Sequence, residues 1–245
     1  MAREAEKAIF LANGGFCFEC QDTGPCSACD RGMEVARVER ADFVARRHAE
    51  LMAGAHLTPR AAAFTLATYP NKQSEAFQQI LDFLSDWNGH EGLFLAGLYG
   101  RGKTGLLAGV LKEIALRFVD TTHRLRFITG TDLMDELRSA IDREHRAAHD
   151  PSIETYSALL DKVKFVRVLA LDDLGTEKPT EFVLERLFSI INHRYEHELP
   201  TFVTTNLGLL DLAKRIDPRV FERLMETSRF IEVKGPNLRE KKSKK

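Results

Sequence analysis

Lys103 and Thr104 close the run Gly97-Leu98-Tyr99-Gly100-Arg101-Gly102-Lys103-Thr104, which fits the phosphate-cradling pattern G-x-x-x-x-G-K-S/T. Each residue type in that pattern has its own task. Gly97, Gly100 and Gly102 let the backbone turn so that successive N–H groups aim at phosphate oxygens, with Arg101 and Gly105 flanking the turn. Lys103 reaches the terminal phosphates, and the Thr104 hydroxyl is a magnesium ligand. The implied ligand is a nucleoside triphosphate, together with Mg2+. A second cluster follows downstream, where the apolar stretch Val163–Leu171 ends in Asp172-Asp173. A carboxylate at the end of a buried strand is where magnesium needs its anchor, and the next acid can polarise the attacking water, so Asp172 is assigned to the metal and Asp173 to the water. Thr201-Phe202-Val203-Thr204-Thr205-Asn206 reads as a further strand whose terminal Asn206 can reach the γ-phosphate or the water. Arg219 and Arg223 stand one helical turn apart, and either is a candidate to stabilise transition-state charge from a neighbouring subunit.

All four cysteines lie in one stretch, Cys17, Cys20, Cys26 and Cys29, spaced C-x2-C-x5-C-x2-C with Gly24-Pro25 between the pairs. Each pair can turn both sulfurs toward one ion, and the bend folds one pair onto the other. Tetrahedral Zn2+ with four thiolates is the natural occupant, and a closed thiolate shell makes the site structural, leaving no open position for chemistry. An iron–sulfur cluster would use the same ligands, whereas a disulfide-bonded loop does not suit a reducing compartment. His193-Arg194-Tyr195-Glu196-His197 also matches a zinc-peptidase pattern, H-x-x-E-H, but it has no third ligand and lies on a helix joining two strands; it reads as an exposed helix face.

The elements that must position these groups follow from periodicity. Leu93-Phe94-Leu95-Ala96 reads as a strand before the phosphate loop. The helix after the loop begins near Lys103 and carries Leu106, Leu107, Val110, Leu111, Ile114 and Phe118 at helical spacing, so its positive end points at the phosphates. Ser74 to Trp87 reads as a helix capped by Ser74, Leu125–Thr129 as a strand feeding a helix over Asp132–Ile141, and Thr180–Glu198 as another helix. Met33 to Met52 reads as a helix with a modest apolar stripe and a basic flank. Strand and helix alternate, which predicts a parallel sheet with the ligand at the carboxyl ends of the strands. Turn signals at His56-Leu57-Thr58-Pro59 and Tyr69-Pro70-Asn71 mark the junction. The expected organisation is a zinc and helix module over 1–55, a linker over 56–72, an ATPase domain over 73–236 and a basic tail over 237–245.

The chain has 245 residues, is 44% hydrophobic and 29% charged, and carries a formal net charge of −1, which argues against nucleic-acid binding by bulk electrostatics. Local basic groups such as Arg117, Arg124, Arg126, Arg143 and Arg146 remain available to a DNA path. No apolar run approaches the roughly 18 residues that span a bilayer, and the opening residues do not read as a signal peptide, so a cytoplasmic location is expected.

Taken together, the phosphate loop, Leu171-Asp172-Asp173-Leu174-Gly175-Thr176-Glu177 and Pro200-Thr201-Phe202-Val203-Thr204-Thr205-Asn206-Leu207 resemble the DnaC/DnaI and IstB branch of the AAA+ ATPases, over about residues 60 to 240. The resemblance implies a P-loop NTPase of α/β class: a RecA-like parallel sheet flanked by helices, without a helical lid, preceded here by the small zinc-binding module. It implies that Gly97 to Thr104 bind ATP, that Asp172 and Asp173 form the Walker B pair, that Asn206 is the first sensor and that Arg223 aligns with the arginine finger. By the same resemblance the chain is a homo-oligomeric loader of the hexameric replicative helicase onto DNA, with single-stranded DNA the expected form, and the cysteine module grips the helicase. The alternatives are an IstB-like transposition helper and a nucleotide-gated scaffold with negligible hydrolysis. Asp173 departs from the glutamate usual in AAA+ proteins at large, and Glu177 stands close enough in sequence to compensate.

Overall fold

The computed structural model of the protein describes residues 27–118, 124–147 and 154–239, with side chains from residue 40 onward except those of 145–147. The chain divides between Glu50 and Leu51 into two compact units. The first contributes most of helix α1 (Ser27–Gly54), which starts ahead of the expected Met33. Within it, Arg40 lies over the Phe43 ring and Arg47 pairs with Glu50 at 2.6 Å, exposed contacts that add little stability.

The second unit is built on five parallel strands, β1 (Gly92–Ala96), β2 (Leu125–Thr129), β3 (Val168–Asp172), β4 (Thr201–Thr205) and β5 (Ser228–Glu232), in the order β2-β3-β4-β1-β5. Connections leave β1 toward β2 and β4 toward β5, in opposite directions across the sheet. That divergence opens a crevice at the carboxyl ends of β1 and β4, the place where such sheets bind ligands. The helices are α2 (Pro59–Ala62), α3 (Glu75–Asp86), α4 (Lys103–Ala115), α5 (Gly130–Ala147), α6 (Tyr156–Phe165), α7 (Glu181–Glu196), α8 (Leu209–Arg215) and α9 (Pro218–Thr227).

Side chains alternate along each strand, so the sheet feeds two separate cores. Leu93 and Leu95 of β1, Val168 and Ala170 of β3 and Phe202 of β4 join the core under α3 and α4. Phe94, Leu169, Leu171 and Val203 join the core under α5, α6, α7, α8 and α9. With both faces covered, four of the strands are buried or nearly so along their length, which is why they read as continuous apolar runs.

Several boundaries differ from the sequence expectation for identifiable reasons. Val163 belongs to α6, not to a strand: it is buried one turn after Leu159, and the helix is capped by Thr155, whose side chain accepts from Ala158 N–H. The strand itself starts at Val168. Residues 56–72, expected as a linker, include α2 and a 3-10 turn over Leu66–Thr68, with Ala61, Leu66 and Tyr69 buried in the first core. Leu66 lies over Gly109 of α4, where a β-carbon would collide with it. Residues 228–232, where no alternation or apolar run predicts a strand, pair with β1 as β5.

At the amino end of β4, Arg194 of α7 is buried with 1% exposure. Its guanidinium donates to the carbonyls of Val163, Lys164 and Val166, to Pro200 O and to Thr201 Oγ1, at 2.8 to 3.2 Å. Those carbonyls at the end of α6 would otherwise lack partners. Burial pushes the guanidinium down to about 9, so it stays charged at neutral pH.

Candidate nucleotide-binding site

β1 hands the chain to the phosphate loop, and the loop ends in α4. Gly102 is the N-cap of α4 in the left-handed region, φ 91°, and supplies no side-chain cap. By contrast α3, α6, α7 and α9 are capped by Ser74, Thr155, Thr180 and Asp217. Among the described residues the first amides of α4 thus have no side-chain cap, and together with the positive end of the helix dipole they form an anion seat.

Lys103 is buried, 4% exposed, and folds back along the loop. Its Nζ donates to Gly97 O at 2.7 Å, Leu98 O at 3.0 Å and Asn206 Oδ1 at 2.5 Å. Burial lowers its pKa to about 8, with the charges of Asp173 and Asp172 acting in the opposite direction. Asn206, just past β4, in turn donates from Nδ2 to Asp173 Oδ1 at 2.5 Å. Lysine, amide and carboxylate therefore form one chain of hydrogen bonds across the ends of β1, β4 and β3.

Asp172 ends β3 and is held by two threonines. Thr104 Oγ1 donates to Asp172 Oδ2 at 2.9 Å, and Thr204 Oγ1 donates to Asp172 Oδ1 at 2.6 Å. Burial raises the Asp172 pKa, and the two hydroxyl donors pull the other way. Thr204 also accepts from the Asp173 N–H at 2.9 Å, so one hydroxyl fixes both acids. Asp173 itself has φ 56°, a conformation that Asp and Asn tolerate better than longer side chains. The turn is closed by Thr176, whose Oγ1 donates to Asp173 O at 2.8 Å, and by Glu177, whose Oε2 accepts from Gly175 N–H at 2.8 Å. Glu177 is buried beside Gly130, which raises its pKa.

These groups line one face of a cavity of about 530 Å3 whose other face is built from Thr58, Phe64, Tyr69 and Pro70. Phe64 packs over Gly105, and Tyr69 Oη donates to Arg101 O at 3.1 Å, which ties the segment before α3 to the loop. The donor set fits a Mg-nucleotide: uncapped helix amides and a lysine for phosphate oxygens, and a hydroxyl beside a carboxylate for a hard cation that keeps most of its water. Lys103, Thr104, Asp172, Asp173 and Asn206 are brought together; Arg101 contributes its backbone carbonyl.

Arg219 and Arg223 are placed elsewhere. Both stack on Phe188 of α7, Arg223 also on Tyr195, and Arg219 is paired with Asp217 at 2.8 Å. Neither lines the cavity of its own chain. His193 and His197 stack on each other with ring centroids 4.0 Å apart, edged by Phe165. The proposed zinc ligands lie outside the described residues: Cys17, Cys20 and Cys26 precede Ser27, and of Cys29 only the backbone, in α1, is described. Thr204 is the residue that sequence reasoning missed, although two consecutive threonines in a buried strand were a visible oddity.

A family model described as IstB-like ATP binding protein matches residues 26–245 of the chain. The replicative helicase loader DnaI of Bacillus subtilis (strain 168) is 27% identical over 179 residues, which cover 66% of this chain and 53% of that protein. A Pseudomonas aeruginosa relative named as an ATP-binding protein of insertion sequence IS21 is 27% identical over 160 residues, 63% of this chain and 55% of its own. The chain spans about half the length of these two relatives. A crystal structure of the DnaC helicase loader superposes with a TM-score of 0.60 at 28% identity, covering 72% of this chain and all of that one.

Proposed function

The chain belongs to the family of IstB-like ATP-binding proteins, and from that premise we propose that it binds and hydrolyses ATP with Mg2+ to load a ring-shaped replicative helicase onto DNA. The observation that carries the reading is the bonded series Lys103, Asn206, Asp173, set beside the Thr104–Asp172 pair. Its partners are replaceable. Lys103 is held by two loop carbonyls and an amide oxygen, and phosphate oxygens offer the same ammonium stronger acceptors. Once Lys103 turns to phosphate, Asn206 loses its donor and is free to orient toward the terminal phosphate or the water, with Asp173 following through the shared hydrogen bond. Asp173 accepts a proton from, or orients, the attacking water. The Thr104 hydroxyl and the Asp172 carboxylate would hold Mg2+, which when bound would supply neutralisation of charge on the phosphoryl oxygens. Arg223 serves the site of an adjacent protomer, a role supported by its placement away from its own chain's cavity and by the aromatic platform that fixes it.

In this reading Cys17, Cys20, Cys26 and Cys29 hold a structural Zn2+ in an amino-terminal module, residues 1–50, that grips the helicase, and the ATPase domain, residues 51–239, oligomerises around single-stranded DNA, with residues 240–245 as a basic tail. Support comes from the named loaders among the relatives and from the cysteine spacing. The expected result is ATP-dependent copurification of the full chain with a hexameric helicase, lost on deletion of residues 1–50. A complex that survives the deletion counts against the module's role, and freshly purified protein without zinc removes the metal. A second reading is favoured by the family description and the IS21 relative: an ATP-dependent helper of a transposase. Stimulation of the ATPase by a transposase encoded next to the gene, with no effect of helicase, selects it.

A further inference from the structure

Past β5 the chain doubles back over the phosphate loop. Val233 N–H donates to Ala96 O at 2.7 Å, and Leu238 N–H donates to Gly100 O at 2.8 Å. Asn237 Oδ1 accepts from Arg239 N–H at 3.0 Å and presses on Gly100 where a β-carbon would stand. Leu238 is half-buried, packs against the first core and occupies the same kind of space at Gly102. Residues 233–239 thus form a strap pinned to the loop at three points. Its last described residue, Arg239, is exposed and stands on the wall of the cavity that holds Lys103, Thr104 and Asp172. Among the described residues the Arg239 guanidinium has no hydrogen-bond or ion-pair partner.

We propose that the strap delivers Arg239 to the polyphosphate of the bound nucleotide, as a second cation contributed by the same chain as Lys103. The proposal rests on the nucleotide reading of the cavity. Arg239 and Lys103 line the same cavity. Two cations facing one cavity repel each other until an anion lies between them, and a polyphosphate offers several charged oxygens to share between the two. A guanidinium engages two phosphate oxygens at once, whereas the buried ammonium acts as a point charge, so the two divide the phosphates without competing for one geometry. Leu238 is the positioning residue, because its seat at Gly102 decides where Arg239 starts.

The test is equilibrium binding of Mg-ATP and AMP to the full chain and to Arg239→Ala, Arg239→Lys, Leu238→Ala and Lys103→Ala, with a thermal melt of each. Arg239→Ala should raise the ATP dissociation constant about tenfold, change AMP less than about twofold, and leave the melt in place. Arg239→Lys should recover part of the loss, and Leu238→Ala should weaken ATP with the arginine still present. ATP affinity unchanged in Arg239→Ala while Lys103→Ala has lost binding overturns the strap's role and leaves the nucleotide site standing. Equal losses of ATP and AMP overturn it too, since that pattern belongs to a structural prop. If Lys103→Ala also binds ATP normally, the nucleotide reading itself fails.

Discussion

β4 has a buried cation at each end, and the two are held in opposite ways. At its amino end Arg194 is closed in by five neutral oxygens drawn from α6 and the strand itself, and every donor direction it uses ends on a fixed backbone or hydroxyl group. At its carboxyl end Lys103 is held by two carbonyls of a glycine-rich loop and one side-chain amide. Both cations lie within 4% exposure, so burial alone does not separate architecture from function. What separates them is whether the partners can be given up. Arg194 cannot be released without orphaning carbonyls, whereas Lys103 can exchange each partner for a phosphate oxygen.

The largest expected difference comes from Lys103→Ala: ATP affinity should fall about 1,000-fold, roughly 4 kcal/mol, while the melting temperature stays or rises because a desolvated charge has been removed. Isothermal calorimetry and a thermal melt read the two halves, and a large loss of stability would put Lys103 in the same class as Arg194. Arg194→Leu should do the reverse, costing about 3 kcal/mol of unfolding free energy in urea by leaving buried carbonyls unpaired, with ATP affinity of the folded protein unaltered. Arg194→Lys should rescue little, since one ammonium cannot reach five acceptors. Thr204→Val is smaller: it removes the donor to Asp172 and the acceptor of the Asp173 N–H, and turnover should fall about tenfold with ATP still bound, measured by steady-state phosphate release.

The smallest effect is in pH. Burial lowers Lys103 to about 8 in the protein without ligand, and a bound polyphosphate favours the charged amine, so binding takes up a proton above that pH. Affinity is therefore fully present below about pH 8 and declines as pH rises beyond it, by at most tenfold per unit. Calorimetry in buffers of different ionisation enthalpy measures the proton uptake directly, and a flat affinity up to pH 9.5 would place Lys103 outside the phosphate site.

The carboxyl end of β4 was legible because the residue types around it are demanded by nucleotide chemistry: a glycine-rich turn before Lys103-Thr104, and two acids ending an apolar strand. The parallel sheet followed from alternation. Val163 was misplaced because an apolar residue reads alike in a buried strand and on the inner face of α6. Residues 56–72 looked like a linker because Pro59 and Pro70 mark turns, yet turns pack as well as anything when Leu66 finds Gly109 and Phe64 finds Gly105. Arg194 sat inside a metal-like motif on what read as an exposed face. Its partners come from segments 28 to 31 residues earlier as well as from Pro200 and Thr201, and only tertiary structure brings them together. The contacts of Leu238 and Arg239 are equally long-range, and nothing in their local sequence announces them.

The left-handed backbone at Asp173 bears on which acid this position will accept. A glutamate can adopt such a backbone, as Glu198 does with φ 50°, but its extra methylene would carry the carboxylate past the amide of Asn206, which meets Asp173 Oδ1 at 2.5 Å. The length of the acid is in that sense matched to the amide it meets. A longer acid would keep that bond only if Asn206 or the bend from Asp173 to Glu177 shifted with it.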